Sequence, residues 1–255
     1  MDLRLIRNAT LRLRYGGVDF LVDPMLSVKS AIRPMGDSPN RNPTVDLPYS
    51  VDLVLDGVDA VIVSHLHPDH FDEAAFGLVP RRLPILCRAG DGDKLSAAGF
   101  DVTELTAAIH HHDVEITPVE AHHGSGPILE RMGSVTGLLF RADGEPTLYW
   151  SGDTVLCDAV RDTITESRPD VIVTHSGGAA AGGTTIIMDI DDTLEVAHLA
   201  PSATIIAVHL ESVAHAPVTR AALRSAADAE GITASRLLIP ADGETISLAT
   251  ATSHR

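Results

Sequence analysis

Six strand-like runs in this chain end on a histidine or an aspartate, the first being Val18 to Val22 before Asp23. Val61-Ile62-Val63-Ser64 runs into His65, Val114 to Ala121 into His122-His123, and Thr147 to Trp150 into Ser151-Gly152-Asp153. Val171 to Thr174 runs into His175, and Thr204 to Val208 into His209. Short apolar runs bounded by turn residues read as strands. Each therefore sets a group that can bind a cation at the carboxyl end of a buried strand.

The segments between them complete an alternating plan. Residues 3–22 read as a strand meander turned by Gly16-Gly17. Leu83 to Cys87 and Val102 to Leu105 are further strands, with Leu237 to Ile239 and Thr245 to Leu248 closing the chain. Helices are expected over Asp72 to Leu78, Asp91 to Ala98, Thr154 to about Glu166, Asp191 to Leu199 and Thr219 to Glu230. Val135 to Arg141 forms a hairpin with Thr147 to Trp150 around Asp143-Gly144. Meanders and crossover helices alternate twice, which predicts two facing sheets with helices outside. No composition shift marks a linker, so residues 1–255 read as one domain. A short echo suggests related halves: "GVDFLVDP" reaches Asp23 as "PTLYWSGDT" reaches Asp153, and "DAVIVSH" ends in His65 as "DVIVTH" ends in His175.

Two segments stand apart. Residues 25–57, rich in Pro, Asn, Asp and Ser, read as a long loop that carries specificity. Gly177 to Gly183 lacks the Lys-Ser/Thr of a phosphate-binding loop and reads as a flexible wall.

The stretch "SHLHPDHFD", Ser64 to Asp72, concentrates the chemistry. His65 and His67 stand two apart on an extended segment, so both imidazoles point the same way. Asp69 and His70 follow the turn at Pro68 and reach a second locus. Imidazole and carboxylate without thiolate suit zinc first, and iron or manganese next. Further ligands must come from the other strand ends, at His122 or His123, Asp153 and His209.

The motifs "SHLHPDH", "HHGSG", "SGDT" and "AVH" together resemble the metallo-β-lactamase superfamily of αββα hydrolases. The stretches "HHGSGPILERMGSVTGLLF" and "YWSGDT" are similar to its L-ascorbate-6-phosphate lactonase-like branch. The resemblance implies an α/β four-layer αββα sandwich. It implies a first metal held by His65, His67 and His123, a second held by Asp69, His70 and His209, and Asp153 bridging both. Asp23 matches an early aspartate that orients a ligand, and His122 and His215 are the alternatives to His123 and His209. Superfamily members with two irons and oxygen chemistry place Glu at position 67; the His here favours a hydrolytic dizinc site.

Such a site would make a metal-bridging hydroxide near neutral pH, the cations lowering the pKa of a shared water to roughly 7. Asp69 would orient it and pass its proton to the leaving group. His175 and His215 are expected to line the substrate pocket. The substrate is then a small lactone, ester or phosphoester. A metal-dependent nuclease or phosphodiesterase could use the same ligands, but a formal charge of -16 and 4% aromatic content disfavour nucleic acid. A non-catalytic metal-binding sensor would not need Asp69. Cys87 and Cys157 read as reduced core thiols, and His110-His111-His112 as an exposed turn. No signal peptide or ~20-residue apolar span is visible, so a cytoplasmic protein without membrane contact is expected.

Overall fold

A computed structural model describes residues 1–33 and 38–248. The chain opens with β1 (Asp2–Arg7), β2 (Thr10–Tyr15) and β3 (Val18–Val22), and passes through α1 (Val51–Leu55) to β4 (Ala60–Val63). It continues with α2 (Glu73–Leu78), β5 (Ile85–Arg88), α3 (Gly92–Ala97) and β6 (Val102–Leu105). The second half repeats the plan with β7 (Ile109–His111), β8 (Val114–Ala121), α4 (Ile128–Met132), β9 (Val135–Arg141) and β10 (Leu148–Trp150). Then come α5 (Asp158–Ser167), β11 (Val171–His175), β12 (Ala180–Ala181), β13 (Thr184–Thr185) and α6 (Ile190–Leu199). The chain closes with β14 (Thr204–Val208), α7 (Arg220–Ala229), β15 (Leu237–Leu238) and β16 (Thr245–Ser247).

Two seven-stranded sheets result, ordered β16-β1-β2-β3-β4-β5-β6 and β15-β14-β11-β10-β9-β8-β7. Each is antiparallel where short turns join strands and parallel where longer connections cross over, from β3 to β6 and from β10 to β15. The sequence echo has a structural counterpart. β3 with Asp23 lies beside parallel β4 with His65, and β10 with Asp153 lies beside parallel β11 with His175.

Strand parity explains the continuous apolar runs. Ile62, Val173, Ile206 and Val208 face the opposite sheet in one core. Their neighbours Ile172 and Ile205 face α5, α6 and α7, and Val61 and Val63 face α1 to α3. A strand covered on both sides has no polar face to alternate with. The layers are therefore helix, sheet, sheet, helix, as the two-sheet pattern predicted.

The Tyr15 hydroxyl ties the sheets together. It donates between Phe140 O at 3.0 Å and Pro146 O at 2.7 Å, and the side chain is buried. Tyr15→Phe leaves those carbonyls without this donor. It is expected to lower unfolding free energy by about 1–3 kcal/mol in urea titrations at unchanged slope.

Several local expectations are corrected. Residues 25–57 contain α1, capped by Ser50, whose side chain accepts from Leu53 N–H, and a bridge between Ile32 and Asn42. α4 is a second unanticipated helix, introduced by Pro127 and stopped by Gly133 at φ 77. The helix expected from Thr154 starts at Asp158, because 154–157 remain non-helical and the Thr154 hydroxyl accepts His122 N–H. His110 and His111 lie on β7, and only His112, at φ 53, makes the turn. Gly177 to Gly183 is more than a plain loop: it includes β12 and part of the turn to β13, and a Cβ on Gly177 would clash with His209 O. Close approach, not mobility, requires that glycine. The tail residue His254 lies outside the described residues.

Cys87 is buried, whereas Cys157 is half-exposed at the start of α5. Burial, with Asp91 and Glu104 nearby, pushes the Cys87 thiol up to about 12. Alkylation of the native protein at pH 8 should therefore modify Cys157 and spare Cys87 until the chain is unfolded, which intact-mass spectrometry reads directly. None of the described helices is long and apolar enough to cross a membrane.

Candidate metal centre

The carboxyl ends of β4, β8, β10, β11 and β14 carry the candidate ligands. After β4 the chain turns at Pro68, with His70 and Phe71 N–H both donating to His67 O. Asp72 then caps α2, its Oδ1 accepting Ala75 N–H at 2.8 Å and its Oδ2 accepting Ser27 N–H at 2.7 Å. This double anchor holds the 65–70 turn against the start of the long loop. Asp23 and His209 both adopt positive φ, 45° and 61°, where non-glycine residues are uncommon. Such strain is tolerated where surrounding structure demands it.

Two groups of side chains come together, each with its potential ligand atoms within 4.8 Å of one another: His65, His67 and His123, and His70, Asp153, His175 and His209. Asp153 joins them. Its Oδ2 lies 3.1 Å from His70 Nε2, 3.5 Å from His123 Nε2 and 3.9 Å from His65 Nε2. Its Oδ1 lies 2.7 Å from His175 Nδ1 and 3.8 Å from His209 Nε2. Asp69 Oδ2 approaches His209 Nε2 at 3.4 Å and His215 Nε2 at 3.9 Å. His122 points away, its Nε2 2.7 Å from Glu120 on a partly exposed edge.

The donor set fits cations. Three imidazoles have Nδ1 beside a protein acceptor: His65 against Ser64 Oγ at 2.9 Å, His70 against Asp23 Oδ2 at 2.8 Å, and His123 against Ile186 O at 2.7 Å. Donation from Nδ1 leaves the Nε2 lone pair free for a metal. His123 Nε2 is buried without a hydrogen-bond partner. His65 Nε2 and His67 Nδ1 lie 2.9 Å apart, a contact that two lone pairs tolerate only with a proton or cation between them. Of the seven candidate ligands His65, His67, Asp69, His70, His123, Asp153 and His209, all but His67 are buried.

The electrostatics agree. Burial opposes the charge on Asp69, yet the His209 contact and the nearby imidazoles of His70 and His215 hold its carboxyl well below the usual range. Burial likewise opposes Asp153, and His70 and His209 overcome it. Burial disfavours a proton on His70, but Asp153 and Asp23 hold its pKa well above the ordinary histidine value. Burial lowers His65, His67, His175 and His215. Without metal, the proton on His70 supplies the positive charge that the carboxylates require. Cation binding at pH 7.5 should displace that proton. Calorimetry in buffers of different ionisation enthalpy should show proton release, which His70→Asn should reduce.

Three polar residues of the centre were not singled out from the sequence. Ser64 donates its N–H to Asp23 Oδ1 and its hydroxyl to Asp23 Oδ2, both at 2.7 Å. Asn8 donates Nδ2–H to Asp69 O at 3.0 Å and lies 3.3 Å from His209 Nε2. Thr10 donates to Asp23 O at 2.7 Å. Asn8 and Thr10 flank an ordinary turn, so no local pattern marks them; Ser64, beside the first histidine, was legible. Two arginines that could meet an anionic group are engaged elsewhere: Arg220 pairs with Glu211 and Asp242, and Arg41 donates to Ser30 O and Ala31 O.

Comparison with known proteins places the chain. The Beta-lactamase superfamily domain matches residues 19–210. The chain is 37% identical to the UPF0173 protein YddR of Bacillus subtilis (strain 168), covering 96% of this chain and 98% of that protein. The structure of isothiocyanate hydrolase from Delia radicum gut bacteria superposes with a TM-score of 0.92 at 37% identity, covering 98% of this chain and 100% of that one. A possible metal-dependent hydrolase from Veillonella parvula DSM 2008 superposes at 0.93 with 33% identity, covering 97% and 99%. The chain belongs to the metallo-β-lactamase superfamily and, within it, to the UPF0173 family of metal-dependent hydrolases.

Proposed function

We propose that the chain hydrolyses a small neutral molecule at an electrophilic carbon, with an isothiocyanate or a lactone or ester as the substrate class. The observation that carries this reading is the convergence of His65, His67, His123, His70, His209 and Asp69 around Asp153. The first metal would be held by His65, His67 and His123, the second by Asp69, His70 and His209, with Asp153 between them; zinc suits this donor set. Two such cations would ionise a water near neutral pH and polarise the electrophile. Asp69 Oδ2 accepts the proton and delivers it to the leaving atom. With an isothiocyanate, a C–O bond forms at the central carbon as the C=N π bond gives way and nitrogen takes the proton. The remaining C–N bond then breaks as the hydroxyl proton passes to nitrogen, releasing the amine and carbonyl sulfide, so water is the only other reactant. Asp23 fixes the His70 ring through Nδ1.

The similarity to isothiocyanate hydrolase, over nearly the whole of both chains, supports a carbon centre. An apolar cluster including Ile128, Met132, Ile186 and Val213 is built from the segments flanking His123, His175 and His215, so the packing beside the centre is apolar. The similarity to the L-ascorbate-6-phosphate lactonase-like branch supports a lactone. The ion pairing of Arg220 argues against a phosphate subsite built on it. The free thiols Cys87 and Cys157 suit the reducing cytoplasm.

The test is purified protein with its metals counted, assayed with and without chelator on isothiocyanates, lactones, phosphodiesters and RNA. Hydrolysis of a carbon electrophile should vanish with chelator and return with zinc. Chelator-insensitive turnover, or cleavage confined to phosphodiesters, would overturn the reading.

A further inference from the structure

We infer that His175 is a positioning residue: its Nδ1–H holds Asp153 Oδ1 so that Oδ2 is presented to both ligand groups. The inference rests on the two-metal reading above. His175 continues the inward parity of Val171 and Val173 on β11, which places its ring between the sheets. Backbone pairing fixes it there. His175 is in register with Val208 of β14, and Ser176 N–H donates to Val208 O, one residue before His209. Trp150 meets the ring edge-on at 5.1 Å, His70 stacks at 5.8 Å, and the side chain is fully buried. The ring thus has little freedom to choose another partner.

Donor–acceptor pairing together with distance separates positioning from ligation. An imidazole nitrogen and a carboxylate oxygen at hydrogen-bond length share a proton, whereas the short His65 Nε2 to His67 Nδ1 contact pairs two nitrogens. Two atoms bound to one tetrahedral zinc at about 2.0–2.1 Å lie roughly 3.3 Å apart. Asp153 Oδ2 keeps 3.5 Å from His123 Nε2, and Asp69 Oδ2 keeps 3.4 Å from His209 Nε2. His175 Nδ1 lies only 2.7 Å from Asp153 Oδ1, the length of a charge-assisted hydrogen bond. Asp153 is then held on one oxygen by a rigid donor, and its other oxygen lies 3.1 Å from His70, 3.5 Å from His123 and 3.9 Å from His65. Ser64 does the same for Asp23 in the first half, donating to both of its oxygens beside the His70 contact. The two halves thus anchor their strand-end aspartates by a donor from the neighbouring parallel strand.

Three variants test this. His175→Asn puts an amide nitrogen where Nδ1 stood, His175→Gln puts one nearer Nε2, and His175→Leu fills the volume without a donor. Cobalt(II) titration of the metal-free proteins, read by visible absorption and equilibrium dialysis, gives stoichiometry and affinity independently of turnover. Leu should weaken cobalt binding by about ten- to a hundred-fold, the range for partners of metal ligands, with Asn returning to within a few-fold of wild type. Gln should resemble Leu. Near-UV circular dichroism checks the fold of each variant; should Leu fold poorly, Asn against Gln decides. Equal affinity for Leu and wild type, or loss of a metal equivalent in Asn, would overturn the assignment. A wild type that binds no cobalt at all would instead sink the two-metal reading itself.

Discussion

Asp153→Ala should abolish chelator-sensitive turnover and leave the protein unable to hold two metal equivalents. Partners of metal ligands cost about ten- to a hundred-fold in affinity or activity when removed. Asp153 approaches His65, His70, His123, His175 and His209 within 4 Å, so its loss should exceed that range. The same substitution removes a buried anion from among imidazoles. In the metal-free protein this leaves His70 with Asp23 as its remaining carboxylate partner at 2.8 Å, and its proton should become easier to remove. The sign follows. The elevated pKa of His70 gives stability that is present below the ordinary histidine range and is lost as pH rises through the folded value. Asp153→Ala should therefore flatten the fall in metal-free stability above neutral pH. Elemental analysis and urea titrations across pH 6–9 read both effects. Retention of two metals by the variant would contradict the proposed bridging role.

Arg7→Met should produce the largest loss of stability outside the metal centre. The Arg7 guanidinium is fully buried and donates to Met25 O at 2.8 Å, Ser27 O at 2.9 Å and Val45 O at 3.0 Å. These carbonyls lie at the start of the 25–57 segment and ahead of α1. The loop is also tied to the His209–His215 segment: Thr44 N–H donates to Ser212 O, and Ala214 N–H donates to Asn42 Oδ1. Methionine fills the volume but donates nothing, and each stranded buried acceptor costs about 1–3 kcal/mol. A loss of about 3 kcal/mol or more should lower Tm by roughly 6–12 °C for a chain of this size. Weaker metal binding should accompany it, because the loop braces the segment carrying His209. A Tm within 2 °C of wild type would show that the clamp contributes little. Burial lowers the Arg7 pKa to about 10, so the group stays charged in both folded and unfolded chains at neutral pH. Its contribution should not vary between pH 6 and 9.

Much of the architecture was legible because its physics is local. Runs such as Val61 to Val63 and Ile205 to Val208, short and bounded by turn residues, read as strands covered on both faces, and the hairpin around Asp143-Gly144 joined β9 and β10 as expected. Longer helices carried their stops, as Gly231 does after α7. The short elements did not. α1 and α4 have five residues each, too few for a periodic signal, although Ser50 and the Pro127–Gly133 bracket marked them. The glycines after His175 suggested mobility, whereas the close approach of His209 O is a contact between segments that no window of sequence contains.

By itself, the sequence determined which strand ends carry imidazoles and carboxylates, since hydrophobic pattern and side-chain chemistry are properties of single segments. The tertiary structure decided which of those groups face one another. It turned His123 inward and His122 toward Glu120, set His175 Nδ1 against Asp153, and brought Asn8 and Ser64 into the centre. Those choices depend on strand parity and on contacts across 22 to 201 residues of chain. Only the packed sheets fix such contacts, because a donor and its acceptor must meet within about 3 Å to count.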